Sequence, residues 1–558
     1  MAPFKKILPL VLFLFIALGI LYLNPYGNNP DIVLDESYFL TSALSAIEKH
    51  TLPGWEFSVS GAYYGGVQAY IDTLAVAPAI AVVFALSGFS LTATKVWVAL
   101  NTGELLHILR LVSGVLALAG LLACFFYFRR KNIPRELALT LALFLFLVLS
   151  NALAIEFLHT AKVWALYITL IAVSSAFFLA QEYYLARREE PLMRTERYAA
   201  LLIWGGIFTF FQAYVGAFSS LLLLAYALML GHLTVHDVWR HVRKYWWLMA
   251  LASVTQISFI YRAYLMRAQF ADVSTTVGGA IDWSARLLKP LIFAVQGQPL
   301  ILLYPIGVVA VIFLALRHAS FLAGARRRTV IAIAVAHPIL TYLFFHVTIG
   351  FDILPRYAIM LTLACAFSAA ILISELGKRA VIAALAVAAA LSVVVLGHAI
   401  ALYSRPSSET VLLKTIMEKY NTPDTLFITD HSARRMTLPV NAASLLLLDE
   451  ERQAMGRFTF LLQNRDRLPV SEFKPLTATA YRAEQEAEYL AQFGAGTHSV
   501  WIIRRLCTDR CSAGETDSGT CFEINMSACG KAPQEVNTLQ EFLSATQLGY
   551  SYVVRKIR

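Results

Sequence analysis

Apolar runs separated by short basic segments dominate residues 1–403, and the pattern changes character after that. The runs lie near 7–23, 106–128, 136–157, 163–181, 198–211, 214–231, 245–262, 298–316, 329–348, 357–375 and 380–403. Many approach the ~20 residues that a helix needs to cross the hydrocarbon core of a bilayer. Between them sit Arg129-Arg130-Lys131 with Arg135, then Arg187-Arg188 with Arg194 and Arg197. Arg240, Arg243 and Lys244 follow, then Arg317 with Arg326-Arg327-Arg328, and last Lys378-Arg379. The positive-inside rule puts all of them on the cytosolic side, together with Lys5-Lys6. The opening basic-then-apolar stretch reads as an uncleaved anchor with a cytosolic N-terminus.

One apolar stretch, Val67 to Ser90, is left over. If it crossed, every later loop would change sides and Arg129-Arg130-Lys131 would face outward. It also contains Asp72, Pro78 and Gly88. We therefore expect a juxtamembrane or re-entrant helix on the outer side. About eleven spans then place every basic segment inside. The outer side holds a long first loop at 24–105, shorter ones at 158–162, 263–297 and 349–356, and the tail at 404–558. In that tail Ser407 to Tyr420 predicts a helix, and Thr425–Thr429 and Ser499–Ile503 predict strands. The expected fold is a multi-pass α-helical membrane domain at 1–403 followed by a small α/β or α+β extracytoplasmic domain.

Composition agrees with the pattern. The chain is 58% hydrophobic and 15% charged, against about 25% charged in ordinary soluble domains. The net charge of +10 is topological on this reading. No basic run interleaved with aromatics lies on a polar segment, so no nucleic-acid partner is expected. Of six cysteines, Cys124 and Cys365 lie alone in apolar runs, whereas Cys507, Cys511, Cys521 and Cys529 cluster in the tail. The tail set lacks paired knuckle spacing for zinc, so disulfides are expected in an extracytoplasmic tail.

The residues with chemical potential gather at the outer interface. Asp35-Glu36 precedes Phe39, Leu40, Ala43, Leu44 and Ile47, apolar at helical spacing, so two carboxylates open a surface helix. Acids there also serve simply as helix caps. Lys162 and Arg356 fall at the outer ends of spans, where snorkelling toward headgroups is the plainer role. His159 stands three residues before Lys162, on one helical face with it. Glu156 is an intramembrane acid and hence a functional candidate. Tyr63 and Tyr64 suit either sugar stacking or an interfacial aromatic belt. Arg262 ends a span and Arg267 follows it in an outer loop, both further candidates for a phosphate site, and Arg110 suits either a partnership with Glu104 or a substrate contact.

Taken in order, several segments resemble the GT-C superfamily of membrane glycosyltransferases. The branch they most resemble holds protein O-mannosyltransferases and lipid A aminoarabinose transferases. The segments are Asp35-Glu36-Ser37-Tyr38 in the first outer loop, Gly88 and RLVSGVLALAG from Arg110, HTAKVWAL from His159 to Leu166, and LPRYAIMLTLACAF from Leu354. The juxtamembrane segment departs from the proline-rich family pattern, reading Gly61-Ala62-Tyr63-Tyr64-Gly65-Gly66 with Pro78 further on.

The resemblance implies transfer of a sugar from a polyprenyl-phosphate donor to a glycolipid, polysaccharide or protein acceptor on the extracytoplasmic face. A bacterial inner membrane is the expected location. A hydroxyl nucleophile needs a base, and Asp35 is the candidate, with attack opposite the phosphate inverting the anomeric centre. Glu36 is its companion. The leaving phosphate needs cations, for which Lys162, Arg356 and His159 are placed; Tyr63, Tyr64, Glu156 and Arg262 are candidate substrate contacts. No obligatory cofactor is expected, although Asp35, Glu36 and His159 together suit a divalent cation. The competing readings are a polyprenyl-linked glycan flippase or transporter, which would want mid-span charges and a repeat, a glycan polymerase or ligase, and a receptor or assembly protein whose tail is the working part.

Overall fold

The computed structural model describes residues 36–53, 66–152, 154–155, 164–212, 216–276, 283–348, 358–429, 463–464, 466, 472–480, 482–494, 499–505, 510–526, 538–547, 549 and 551–557. At 36–38, 102, 258–260, 262–276, 283–286, 319 and 346–348 it describes the backbone alone. In chain order the membrane part contains α1 (Glu36–Lys49), α2 (Val67–Leu86), α3 (Leu91–Leu100), α4 (Thr102–Arg130) and α5 (Arg135–Leu149). There follow α6 (Trp164–Ala186), α7 (Thr195–Gln212), α8 (Ala217–Met229) and α9 (Val235–Thr276), the last kinked at Tyr245. The set closes with α10 (Trp283–Gly297), α11 (Leu303–Arg317), α12 (Ala325–Tyr342), α13 (Ala358–Glu375) and α14 (Lys378–Tyr403).

Among the described residues, seven helical segments are long and apolar enough to cross a membrane. The run at 7–23 lies outside the described residues, and the other expected runs each appear as a helix. α13 is the axis of the bundle. It is buried from Ala358 to Ile373 and packs on α5, α10, α11 and α12. A helix apolar all round belongs in the middle of its neighbours.

Ion pairs gather the basic segments at one end. Glu136 at the start of α5 pairs with Arg187 after α6 at 2.7 Å. Glu182 in the last turn of α6 accepts two bonds from Arg326 at 2.8 and 2.6 Å, and lies 2.6 Å from His232 in the α8–α9 turn. Arg327 meets Glu375 at the end of α13 at 2.7 Å. We call this end the basic rim and its opposite the far rim. α9 starts here with a capping box. Thr234 donates its amide and hydroxyl to the Asp237 carboxylate, at 2.9 and 2.6 Å, and these bonds hold that carboxyl below the ordinary carboxylate range.

α2 satisfies the length and composition of a span, so its path matters. Gln68 near its start bonds Ser113, on the order of 26 Å along α4 from Arg130 at 1.5 Å per residue. Val76 shares a buried cluster with Leu105, Leu106 and Leu109. α2 therefore runs antiparallel to α4 and away from the basic rim. Its last residues pass the start of α4, with Val82 and Leu86 exposed. The charge pattern predicts a juxtamembrane or re-entrant helix here, and the contacts give α2 its direction along α4.

The tail adds α15 (Ser408–Lys419), β1 (Thr425–Thr429), β2 (Leu476–Thr479), α16 (Ala483–Gly494) and β3 (Ser499–Arg504). It ends with α17 (Ala513–Asp517), β4 (Cys521–Ile524), α18 (Leu539–Ser544) and β5 (Tyr552–Lys556). The strands form one mixed sheet in the order β2-β1-β3-β5-β4, with β1 parallel to β2 and β3. Alternate residues face opposite ways. Phe427, Trp501 and Ile503 pack under Leu412 and Ile416 of α15. Leu426, Ile428, Val500 and Ile502 pack toward Tyr489, Leu490 and Phe493 of α16. Cys511 and Cys521 form a disulfide; Cys507 and Cys529 lie outside the described residues.

Candidate functional site

The far rim contains two buried polar clusters, both among helices that are otherwise apolar. Polar groups in such surroundings are costly unless each has a partner. The first cluster centres on Gln68. Its amide nitrogen donates to Asp72 Oδ1 at 2.8 Å and to Ser113 Oγ at 3.0 Å. Its carbonyl oxygen accepts from Gln212 at the end of α7, at 2.9 Å. Beside it, the Gly66 amide donates to Gln256 of α9 at 2.8 Å, and the Tyr70 hydroxyl donates to the Thr255 carbonyl at 3.0 Å. All of Gln68, Asp72, Ser113, Gln212 and Gln256 are buried, as is Arg110, one helical turn from Ser113 on the same face of α4. The start of α2 is thereby tied to α4, α7 and α9.

The second cluster lies where α5 ends and α13 begins. Gln298 donates to Ser150 Oγ at 2.9 Å and to the Leu147 carbonyl. Asn151 donates to Thr362 at 3.0 Å and accepts from the Ala154 amide at 3.3 Å. Nearby, the first turns of α6 and α8 touch. The Tyr167 ring lies so close to Gly216 that an added Cβ would sit 2.3 Å from it, and Tyr167 shares a 3.3 Å hydrogen bond with Ser219. Only glycine admits that approach.

α1 rests on α2 and on the start of α4. Leu40 and Ala43 pack with Val76, Leu105, Leu106 and Leu109, and Phe39 is buried in the main bundle core. Glu36 is the first residue of α1 by its backbone. Arg262 lies in the second half of α9, again by backbone. Asp35, Tyr63, Tyr64, Glu156, His159, Lys162 and Arg356 lie outside the described residues. For Glu156, His159, Lys162 and Arg356 the nearest described residues in the chain are Ile155, Trp164 and Ala358, all buried at far-rim helix ends. Among the described residues no three His, Cys, Asp or Glu side chains gather as a metal site.

The glutamines of the first cluster carry no signal in the sequence, and Asp72 reads there only as a sign against a span. An acid inside an apolar run was itself the signal.

No family model and no curated protein matches the chain. Among solved structures it is similar to the crystal structure of ArnT from Cupriavidus metallidurans bound to undecaprenyl phosphate. The identity is 12% and the TM-score 0.43, over 90% of this chain and 93% of that one.

Proposed function

We propose that the protein is a GT-C-type glycosyltransferase that moves a sugar from a polyprenyl-phosphate donor to an acceptor on the extracytoplasmic face, which is the far rim. The observation that carries this reading is the seat of α1. The helix opened by the acidic pair packs on α2 and the start of α4, which the buried Gln68 cluster ties together, at the end of the bundle away from the basic segments. A lipid-linked donor keeps its isoprenoid in the bilayer, so its phosphate lies at such a rim. In this reading Asp35 takes the acceptor proton and Glu36 orients it or binds the acceptor. Lys162, Arg356 and His159 meet the leaving phosphate. Tyr63, Tyr64, Glu156 and Arg262 contact substrate. No metal is required, and the tail is extracytoplasmic, which the Cys511–Cys521 disulfide favours. A bacterial inner membrane is the proposed location.

The transporter alternative would want charges at mid-depth. His337, buried in the second half of α12, meets the Tyr226 hydroxyl at 3.3 Å and the Phe367 ring edge-on, contacts that suit a core histidine.

The test is to incubate purified protein with a panel of polyprenyl-phosphate sugars and candidate acceptors, following donor loss by mass spectrometry. Turnover is expected with one donor, and Asp35→Asn should abolish it while the unfolding midpoint stays unchanged. Full activity in Asp35→Asn would refute the base assignment, and transmembrane movement of intact donor without transfer would favour the flippase.

A further inference from the structure

A cavity of about 720 Å³ opens at the basic rim, the opposite end of the bundle from the proposed catalytic site. Its volume lies within the ~300–1,000 Å³ typical of small-molecule sites. The ends of α5, α6, α12, α13 and α14 enclose it.

Charge sets its preference. Three acids line it, Glu136, Glu182 and Glu375, and each is spent on an arginine: Arg187, Arg326 and Arg327 in turn. Lys378 also lines it, is exposed, and has no hydrogen-bond or ion-pair partner among the described residues. One positive charge is left over.

The backbone adds donors of the same sign. α12 and α14 both begin at glycine caps, Gly324 (φ +100°) and Gly377 (φ +98°), and both caps line the cavity. Neither supplies a side-chain acceptor, so the first-turn amides of two helices are left for an outside acceptor. Open space surrounds both glycines where a side chain would stand. Two positive dipole ends and a free ammonium thus converge on one volume.

Beneath this charged mouth the wall turns apolar, with Leu137, Phe178, Ile371 and Val381 buried along it. An anion-binding mouth over an apolar wall matches a lipid with a phosphate head better than a free ion. We propose that this cavity binds the headgroup phosphate of an anionic glycerophospholipid. The phosphate meets Lys378 and the first amides of α12 and α14, and the chains run down the apolar wall. The inference does not depend on which reaction the far rim performs.

The experiment uses full-length, delipidated protein in detergent. Binding of short-chain phosphatidylglycerol, short-chain phosphatidylcholine and inorganic phosphate is measured by native mass spectrometry and by the rise in unfolding midpoint. Saturable phosphatidylglycerol binding is expected, with much weaker phosphatidylcholine binding. A single basic residue near a membrane surface sets the scale, so Lys378→Gln should weaken phosphatidylglycerol about fivefold. Lys378→Glu should weaken it further and Lys378→Arg should restore it. Lys378 is exposed, so the lipid-free unfolding midpoints should match wild type. Equal binding of both lipids would overturn the proposal, as would phosphatidylglycerol affinity indifferent to Lys378→Gln and Lys378→Glu. Inorganic phosphate binding as tightly as phosphatidylglycerol, and competing with it, would make a soluble anion the ligand and overturn the lipid assignment.

Discussion

Gln68 uses its whole amide. Both donors and the acceptor are engaged, and its partners come from α2 itself, α4 and α7. Gln68→Leu keeps the approximate volume but strips the buried Asp72, Ser113 and Gln212 of one hydrogen bond each. Leaving buried polar groups short of partners costs about 1–3 kcal/mol, so a lower unfolding midpoint is expected. Donor turnover should fall with it, because the platform under α1 loosens. An unchanged midpoint in the same detergent would show that this cluster does not hold α2. None of this cluster was legible beforehand except Asp72. A glutamine at a helix end breaks no period, and the partners lie 45, 144 and 190 residues away in the chain. Asp35 was the reverse case. Its proposed role comes from the order of segments along the chain, and Asp35 itself lies outside the described residues.

Elements were easier to read than their attachments. The helix expected at 407–420 is α15 at 408–419, and the strand expected at 425–429 is β1. Both carry local signals: a Ser407 cap whose hydroxyl accepts from the Thr410 amide, and a short apolar run rich in β-formers. The six-residue α18 carries a Thr538–Glu541 capping box but is too short to show an apolar period, yet it joins tail to bundle. Phe542 is 1% exposed, belongs to the main bundle core and meets the His398 ring of α14 edge-on at 5.1 Å. Arg405 donates to the Thr546 carbonyl at 2.8 Å, and Gln547 to the Pro406 carbonyl at 2.9 Å. Removing a buried phenylalanine costs about 3 kcal/mol or more. Phe542→Ala is therefore expected to free α18, seen as faster amide exchange at 539–544 with β1 and β3 still protected. Exchange there as slow as in wild type would mean that the two hydrogen bonds suffice. This variant also separates a working tail from a working bundle more cleanly than deletion of 404–558, which would bare the apolar surface that Phe542 covers.

For the whole molecule the decisive property is which helix ends share a side. Positive charge predicts that grouping from sequence, and the ion pairs Glu136–Arg187, Glu182–Arg326 and Arg327–Glu375 bring the same segments together in space. The apolar run at 67–90 is the one place where hydropathy and charge disagree. Hydropathy alone makes α2 a span. The Gln68–Ser113 bond and the Val76 cluster instead turn it back along α4 toward the far rim. Hydropathy measures only the solvent that a segment prefers, and a re-entrant helix prefers the same solvent as a crossing one. Direction comes from tertiary contacts. The consequence can be tested with impermeant thiol reagents on intact cells, in a background with Cys507 and Cys529 replaced by serine. Phe89→Cys, at the exposed α2–α3 turn, and Lys419→Cys, in the tail, should react from outside. Arg188→Cys, at the basic rim, should react only after permeabilisation. If instead Arg188→Cys reacted from outside, and Phe89→Cys and Lys419→Cys only after permeabilisation, α2 would cross. The acidic pair and the polar platform would then lie on opposite faces, and a reaction that needs both at one interface would have no place in this bundle.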